Sequence, residues 1–174
     1  MKLTWFGNST FRIHASGQIV VVDAQAAPAR VDRNELVSGA DLTVKFGDSL
    51  PTADGVSFKV RTPQRLLEAG DAPRPAQLWS LGEGALVVDA DDDRPLLLLR
   101  GPVPTLGRWA ESAIVVLAGE RLAARAAALT EAVAPRLLAL AGTDAEVDAT
   151  FAMLRDGLNA TGLVALEPGM AVEA

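Results

Sequence analysis

The chain has 174 residues, 49% of them apolar and 22% charged, a composition for a folded chain with its own core and unlike that of a disordered one. Acids outnumber bases 22 to 16, so the net charge of -6 argues against a nucleic-acid partner. Cysteine is absent and His14 is the one histidine, which excludes thiolate chemistry, disulfides, iron–sulfur clusters and any multi-histidine metal centre.

The first third reads as short strands. Residues 2–6, 10–14 and 18–22 are rich in β-formers and are separated by Gly-Asn-Ser and Ala-Ser-Gly turns. Phe11 and Ile13 alternate with Arg12 and His14, giving one apolar and one wet face. Residues 24–38 are polar and alanine-rich and are expected to form a loop; 41–46 and 56–60 are expected to form further strands. Thr62-Pro63 carries the cap and first position of a short helix, and a proline-rich linker follows at 72–76.

Three more strands are expected at 77–81, 85–89 and 96–100, with an acidic turn at Asp91-Asp92-Asp93. That turn lacks the glycine and glutamate of an EF-hand loop and reads as a solvated bend. Beyond it the pattern becomes strand–helix alternation. Residues 113–118 form a buried-type strand, Leu122, Ala126, Leu129 and Val133 keep helical spacing, and 136–140 form a strand. Thr143-Asp144-Ala145-Glu146 has the form of a capping box ahead of the helical face Val147, Phe151, Leu154 and Leu158. Strands at 163–166 and after Pro168-Gly169 close the chain, and no repeat of fixed period is present.

Nucleophile and nucleotide signatures are weak. Ser9 is not in a Gly-x-Ser-x-Gly elbow, and His14 lies five residues along a strand, an odd separation that points the two apart. Neither Gly82-Glu83-Gly84 nor any other segment carries a nucleotide-binding fingerprint. Trp79 and Trp109 read as core or partly buried, and Trp109, in a loop-like setting, is the better interface candidate of the two. The opening residues lack the apolar stretch of a signal peptide and no segment approaches the roughly 20 apolar residues of a membrane helix. The expectation is a cytoplasmic protein with no membrane or nucleic-acid partner.

The start, Met1-Lys2-Leu3-Thr4-Trp5-Phe6-Gly7-Asn8-Ser9-Thr10-Phe11, resembles that of metallo-β-lactamase-fold hydrolases, in particular the L-ascorbate-6-phosphate lactonase-like branch. Asp23 matches an Ile-Asp-Pro position of that branch. Thr43-Val44-Lys45-Phe46-Gly47-Asp48-Ser49 is similar to its Thr-His-x-His-x-Asp-His metal motif, and Leu140-Ala141-Gly142-Thr143 to its His-Tyr-Gly-Thr-like turn. Val164-Ala165-Leu166-Glu167-Pro168-Gly169 is similar to its closing strand and turn.

The resemblance implies an α/β chain folded as a four-layer αββα sandwich, trimmed in its loops, in one domain spanning residues 1–174. It also implies that the ligands are gone. Val44, Phe46, Ser49, Asn8 and Leu140 stand at histidine positions and Pro102 at that of a bridging aspartate; Asp48 alone is kept. A zinc centre needs three or four nitrogen, sulfur or carboxylate donors at about 2.0–2.3 Å, and one carboxylate does not hold the ion. Val44, Phe46 and Leu140 are expected to fill the vacated volume with hydrocarbon.

The expected function is therefore non-catalytic: a pseudoenzyme with no cofactor, binding a small-molecule ligand through a remodelled cleft lined by Asn8, Asp23 and Asp48, or forming a homo-oligomer or scaffolding a protein partner. The alternative is a metal-independent hydrolase or lyase working with the carboxylates of that cleft. This needs Asp23 and Asp48 close together in environments that push their pKa values apart. A carboxylate-only magnesium site is a third option.

Overall fold

The computed structural model describes residues 1–62, 74–91, 94–155, 157–158 and 160–173. Two sheets form within them. The first has the order β11-β1-β2-β3-β4, from β1 (Lys2–Gly7), β2 (Thr10–Ala15), β3 (Gln18–Val22), β4 (Leu42–Val44) and β11 (Ala171–Glu173). The second has the order β10-β9-β8-β7-β6-β5, from β5 (Gln77–Ser80), β6 (Ala85–Asp89), β7 (Leu96–Leu99), β8 (Ile114–Ala118), β9 (Leu137–Ala141) and β10 (Gly162–Ala165). Three α-helices accompany them: α1 (Arg33–Val37), α2 (Leu122–Ala132) and α3 (Asp144–Leu154).

In the first sheet β1, β2 and β3 form an antiparallel meander, with Phe11 opposite both Trp5 and Val22. The β2–β3 hairpin turns on Ser16 and Gly17, whose φ values of 47° and 75° suit a two-residue turn with both central residues left-handed. β4 joins parallel to β3, and β11 pairs antiparallel with β1 on the other side. In the second sheet β5, β6 and β7 are antiparallel, whereas β7, β8, β9 and β10 run parallel. The parallel part is built from the β8–α2–β9–α3–β10 alternation, since parallel neighbours need a crossover and a helix supplies it.

The core is divided by strand parity. Leu3, Trp5, Phe11, Ile13, Val20 and Val22 of the first sheet meet Leu86, Val88, Leu96, Leu98, Ile114 and Val116 of the second in one cluster. The alternate residues of the second sheet, Val87, Leu97, Leu99, Val115 and Leu117, pack against Leu122, Ala126 and Leu129 of α2 and Leu154 of α3. On the outer face of the first sheet Val21 packs with Ala24, Ala27 and Leu36 of the 3-10 turn 24–26 and α1. The layers are thus helix, sheet, sheet, helix. A central strand such as β7, Leu-Leu-Leu-Leu and buried throughout, needs hydrocarbon on both faces because both are covered.

Two expectations are corrected. Residues 24–38 are not a plain loop: Asp32 caps α1, its carboxylate accepting from Asn34 N–H at 2.8 Å, and Arg12 holds the other end by donating to the Leu36 and Ser38 carbonyls. Residues 56–60 are not a strand. Asp54 turns the chain there by accepting from Val56 N–H at 3.0 Å and from Ser57 Oγ at 2.9 Å. The single apolar anchor is Phe58, whose ring meets Trp79 and Trp109 edge-on at 6.2 and 5.0 Å. Trp109 is half-buried, in keeping with its reading as core or partly buried, its indole donating to the Gly55 carbonyl at 2.6 Å. The helix expected at Thr62-Pro63, the first residues of the linker 72–76 and the tip of the acidic turn lie outside the described residues.

Candidate binding edge

Where the parallel strands end, the two sheets present a common edge. The second sheet contributes Arg100 and Gly101 after β7, Gly119, Glu120 and Arg121 after β8, and Gly142 and Thr143 after β9. The first contributes the β1–β2 turn at Asn8 and Ser9, Asp23 after β3, and Phe46 after β4. Carboxyl ends of parallel strands are where α/β proteins place their ligands, because the loops there diverge and leave a crevice.

Asp23 is the knot that ties this edge. It is 5% exposed and sits at φ 51°, a left-handed conformation that aspartate tolerates better than most residues. Its Oδ1 accepts from Phe46 N–H at 3.1 Å; its Oδ2 accepts from Ser9 Oγ–H at 2.6 Å and from Arg100 at 3.2 Å. Its backbone is equally committed, N–H donating to the Val44 carbonyl at 2.8 Å and C=O accepting from Thr10 Oγ1 at 2.9 Å. The Arg100 guanidinium crosses from the second sheet to reach it and lies 5.2 Å above the centre of the Phe46 ring. Cation, carboxylate and ring thus pin the sheets together at this end.

Asn8 belongs to the same corner. At φ 50° it makes the β1–β2 turn, donates from Nδ2 to the Ala26 carbonyl at 2.9 Å and accepts the Trp5 indole N–H on its own carbonyl at 3.0 Å. Gly7 precedes it at φ 111°, with Pro28 so close that a Cβ would lie 2.6 Å from its Cγ. Asn8 and Trp5 form one wall of a groove of about 280 Å³, completed by Gly119, Glu120, Ala141, Gly142, Thr143 and Glu146.

Asp48 does not join them. It is exposed, and its carboxylate folds back to accept Lys45 N–H at 2.7 Å, closing the turn after β4. Asp23 and Asp48 share no hydrogen-bond partner among the described residues. Leu140 also departs from expectation. Val44 and Phe46 do fill the space between the sheets, but Leu140 packs on the opposite face of β9, among the helix-covered residues; Ala139 and Ala141 face the first sheet instead. His14 is exposed on β2, far along the strand from Ser9's bond to Asp23, and its pKa is lowered by partial burial and by the charges of Arg12 and Lys2.

Two residues that the sequence does not single out, and a third that it marks only as part of a capping box, shape the edge. Arg100 is one. Arg125, one turn into α2, donates to the Ala118 and Leu99 carbonyls, both at 2.7 Å, and to the Glu120 carbonyl at 3.3 Å, so it caps the ends of β7 and β8. Its Nε is buried without a partner, and burial lowers its pKa. Glu146 is the third. Thr143 caps α3 as the sequence predicts, accepting Glu146 N–H at 3.4 Å, but the Glu146 carboxylate reaches across to Arg121 N–H and Leu122 N–H, at 3.1 and 2.8 Å, and caps α2. The one legible signal for Arg100 was its place directly after an all-apolar strand, where a charge must find a partner at the sheet end.

The donors present do not fit the metal centre that the sequence resemblance implies. Asp23 spends both oxygens on donors already named, Asn8 spends its amide on Ala26, Asp48 faces its own turn, and Phe46 and Val44 are hydrocarbon. Among the described residues no three His, Cys, Asp or Glu side chains are grouped to hold a metal ion.

No family model matches the chain, and no curated protein matches it. It is similar to a solved structure, Igni18, a novel metallo hydrolase from the hyperthermophilic archaeon Ignicoccus hospitalis, at 14% sequence identity. That match covers 98% of this chain and 97% of the other, with a TM-score of 0.47. Among the described residues no helix is long and apolar enough to cross a membrane.

Proposed function

We propose that this chain is a one-domain, non-catalytic member of the metallo-β-lactamase fold that binds a small molecule at the shared edge of its two sheets. The observation that carries the reading is the Arg100–Asp23–Phe46 assembly. A permanent cation and its carboxylate occupy the seam between the sheets, and three donors, a guanidinium, an amide and a hydroxyl, already engage both carboxylate oxygens. The helix–sheet–sheet–helix layering and the motif resemblance support the family. The groove beside Trp5 and Asn8 supports binding over scaffolding alone.

The carboxylate-only hydrolase reading draws less support. General acid–base work needs a carboxyl within reach of substrate, and Asp23 is buried with both oxygens engaged while Asp48 is tied to Lys45. A cytoplasmic setting, read from composition, and self-association remain part of the proposal.

Elemental analysis of protein purified without added metal, with a size measurement in solution, tests the reading. We expect substoichiometric zinc, iron and manganese. One equivalent of any of them bound per chain would overturn it.

A further inference from the structure

Next to the Asn8 groove, on the other side of Glu120, lies a second depression of about 490 Å³. Its polar lining is Arg100, Arg121, Arg125 and Glu120; Pro102 and Val103 supply part of an apolar wall. Three guanidiniums in one depression stand out in a chain whose net charge is -6. Like charges gathered in a concave surface repel one another, and the field there is focused by the low-dielectric walls.

Each arginine is held differently. Arg125 is fixed by the carbonyls of Leu99, Ala118 and Glu120, neutral dipoles that orient it without cancelling its charge. It forms no ion pair among the described residues. Arg100 shares its charge with Asp23 through a single contact, and 43% of its side chain stays exposed. Arg121 sits at φ 59°, a left-handed conformation unfavourable for a residue with a long side chain, and Glu146 holds that bend by binding the Arg121 and Leu122 amides. Its guanidinium has no partner among the described residues. A strained backbone that delivers an uncommitted cation to a depression already containing two others is what a ligand contact requires.

We propose that this depression binds a small organic dianion through its oxyanion group, a phosphate monoester or a dicarboxylate. Arg121 is the principal contact, Arg100 and Arg125 set the field, and the organic remainder lies along Pro102 and Val103. The planar fork of arginine matches either oxyanion with two parallel hydrogen bonds. Glu120, on the rim, repels any anion and a dianion most, so the three guanidiniums must outweigh it. This names the ligand class for the binding role proposed above and rests on it.

Calorimetry of the full chain at low salt, with inorganic phosphate, glycerol phosphate and succinate as separate probes, tests it. Glycerol phosphate or succinate is expected to saturate one site per chain with a Kd below about 1 mM and to weaken steeply with added salt. Which of the two binds identifies the oxyanion. Arg121→Asn keeps a residue that accepts the left-handed backbone while removing the charge. It is expected to weaken binding about tenfold or more with unchanged circular dichroism. The proposal is overturned if neither organic dianion saturates by about 10 mM, which puts Kd above about 1 mM. It is also overturned if inorganic phosphate alone binds, or if Arg121→Asn binds as tightly as the parent. A metal-loaded protein would sink the parent reading whatever the anions do, whereas a metal-free protein indifferent to them sinks this inference alone.

Discussion

Replacing Asp89 by asparagine is expected to stabilise the protein at neutral pH. Asp89 ends β6 and is 2% exposed. Its Oδ2 accepts Arg61 N–H at 3.0 Å, but its Oδ1 is buried with no hydrogen-bond partner. Burial raises its pKa, and the nearby Asp91 charge adds to this; the Arg61 amide and the charges of Arg61 and Arg74 oppose it without prevailing. An unsatisfied buried acceptor costs about 1–3 kcal/mol, more when ionised. The amide removes the charge and keeps the bond to Arg61, but its NH2 then lacks an acceptor in turn, so the expected gain is about 1 kcal/mol. The pH dependence fixes the sign independently. Because the folded pKa is raised, both states hold the proton below the unfolded value of about 3.9, and Asp89 then costs nothing. As pH rises past that value the unfolded chain releases its proton first, so stability falls until the folded pKa is passed and then levels off. Urea unfolding of both proteins from pH 4 to 7 is the assay. The advantage of D89N is expected to be near zero at the acid end and to grow towards neutrality. A pH-independent difference, or a variant less stable than the parent at pH 7, would refute the argument.

The two aspartates of the candidate cleft are expected to separate sharply. Asp23→Ala strands the Phe46 amide and uncouples Arg100, costing about 2–4 kcal/mol in urea unfolding, while Asp48→Ala opens one exposed turn and costs less than about 1 kcal/mol. Equal losses would mean that the knot lies elsewhere. Glu146→Ala uncaps α2 and is expected to cost about 1 kcal/mol; if Glu146→Gln loses as much as alanine, the carboxylate's charge rather than its reach is what counts.

Much of the fold is legible because the strands alternate or run apolar in lengths no helix needs. The second sheet is read nearly residue for residue, and α2 and α3 follow from their helical spacing. What failed did so for identifiable reasons. The segment holding α1 carries an Asp-x-x-Glu signature at Asp32-Arg33-Asn34-Glu35, the start signal of a helix, but its alanines and arginines offer one buried side chain, Leu36, and so little periodicity. In residues 56–60 the β-like composition hides the fact that the β5 edge is already taken by residues 51–53, Ser80 N–H donating to the Pro51 carbonyl and Ala53 N–H to the Ser80 carbonyl, after which Asp54 turns the chain away. Leu140 was misplaced because β9 is buried on both faces, and a strand wet on neither side gives no parity signal to say which residues look inward.

Asp23 and Asp48, expected to line one cleft, part for a deeper reason. Motif matching keeps the residue that looks like a family ligand, Asp48, whereas folding energetics keeps the one whose burial is compensated, Asp23. With Phe46 and Val44 filling the seam with hydrocarbon, a carboxylate between the sheets must find donors or leave. Asp23 finds a hydroxyl, an amide and a guanidinium; Asp48 turns out to solvent. Among the described residues, three of the four non-glycine positions with positive φ, Asn8, Asp23 and Arg121, lie along this one edge, and each bend is fastened by hydrogen bonds from a different element. Left-handed backbone at such residues costs about 1–2 kcal/mol apiece. An edge held in that state by contacts from both sheets and two helices cannot relax without breaking several bonds together. It is suited to meeting a ligand with its charges already in place, which lowers the ordering cost of binding, and ill suited to closing over one.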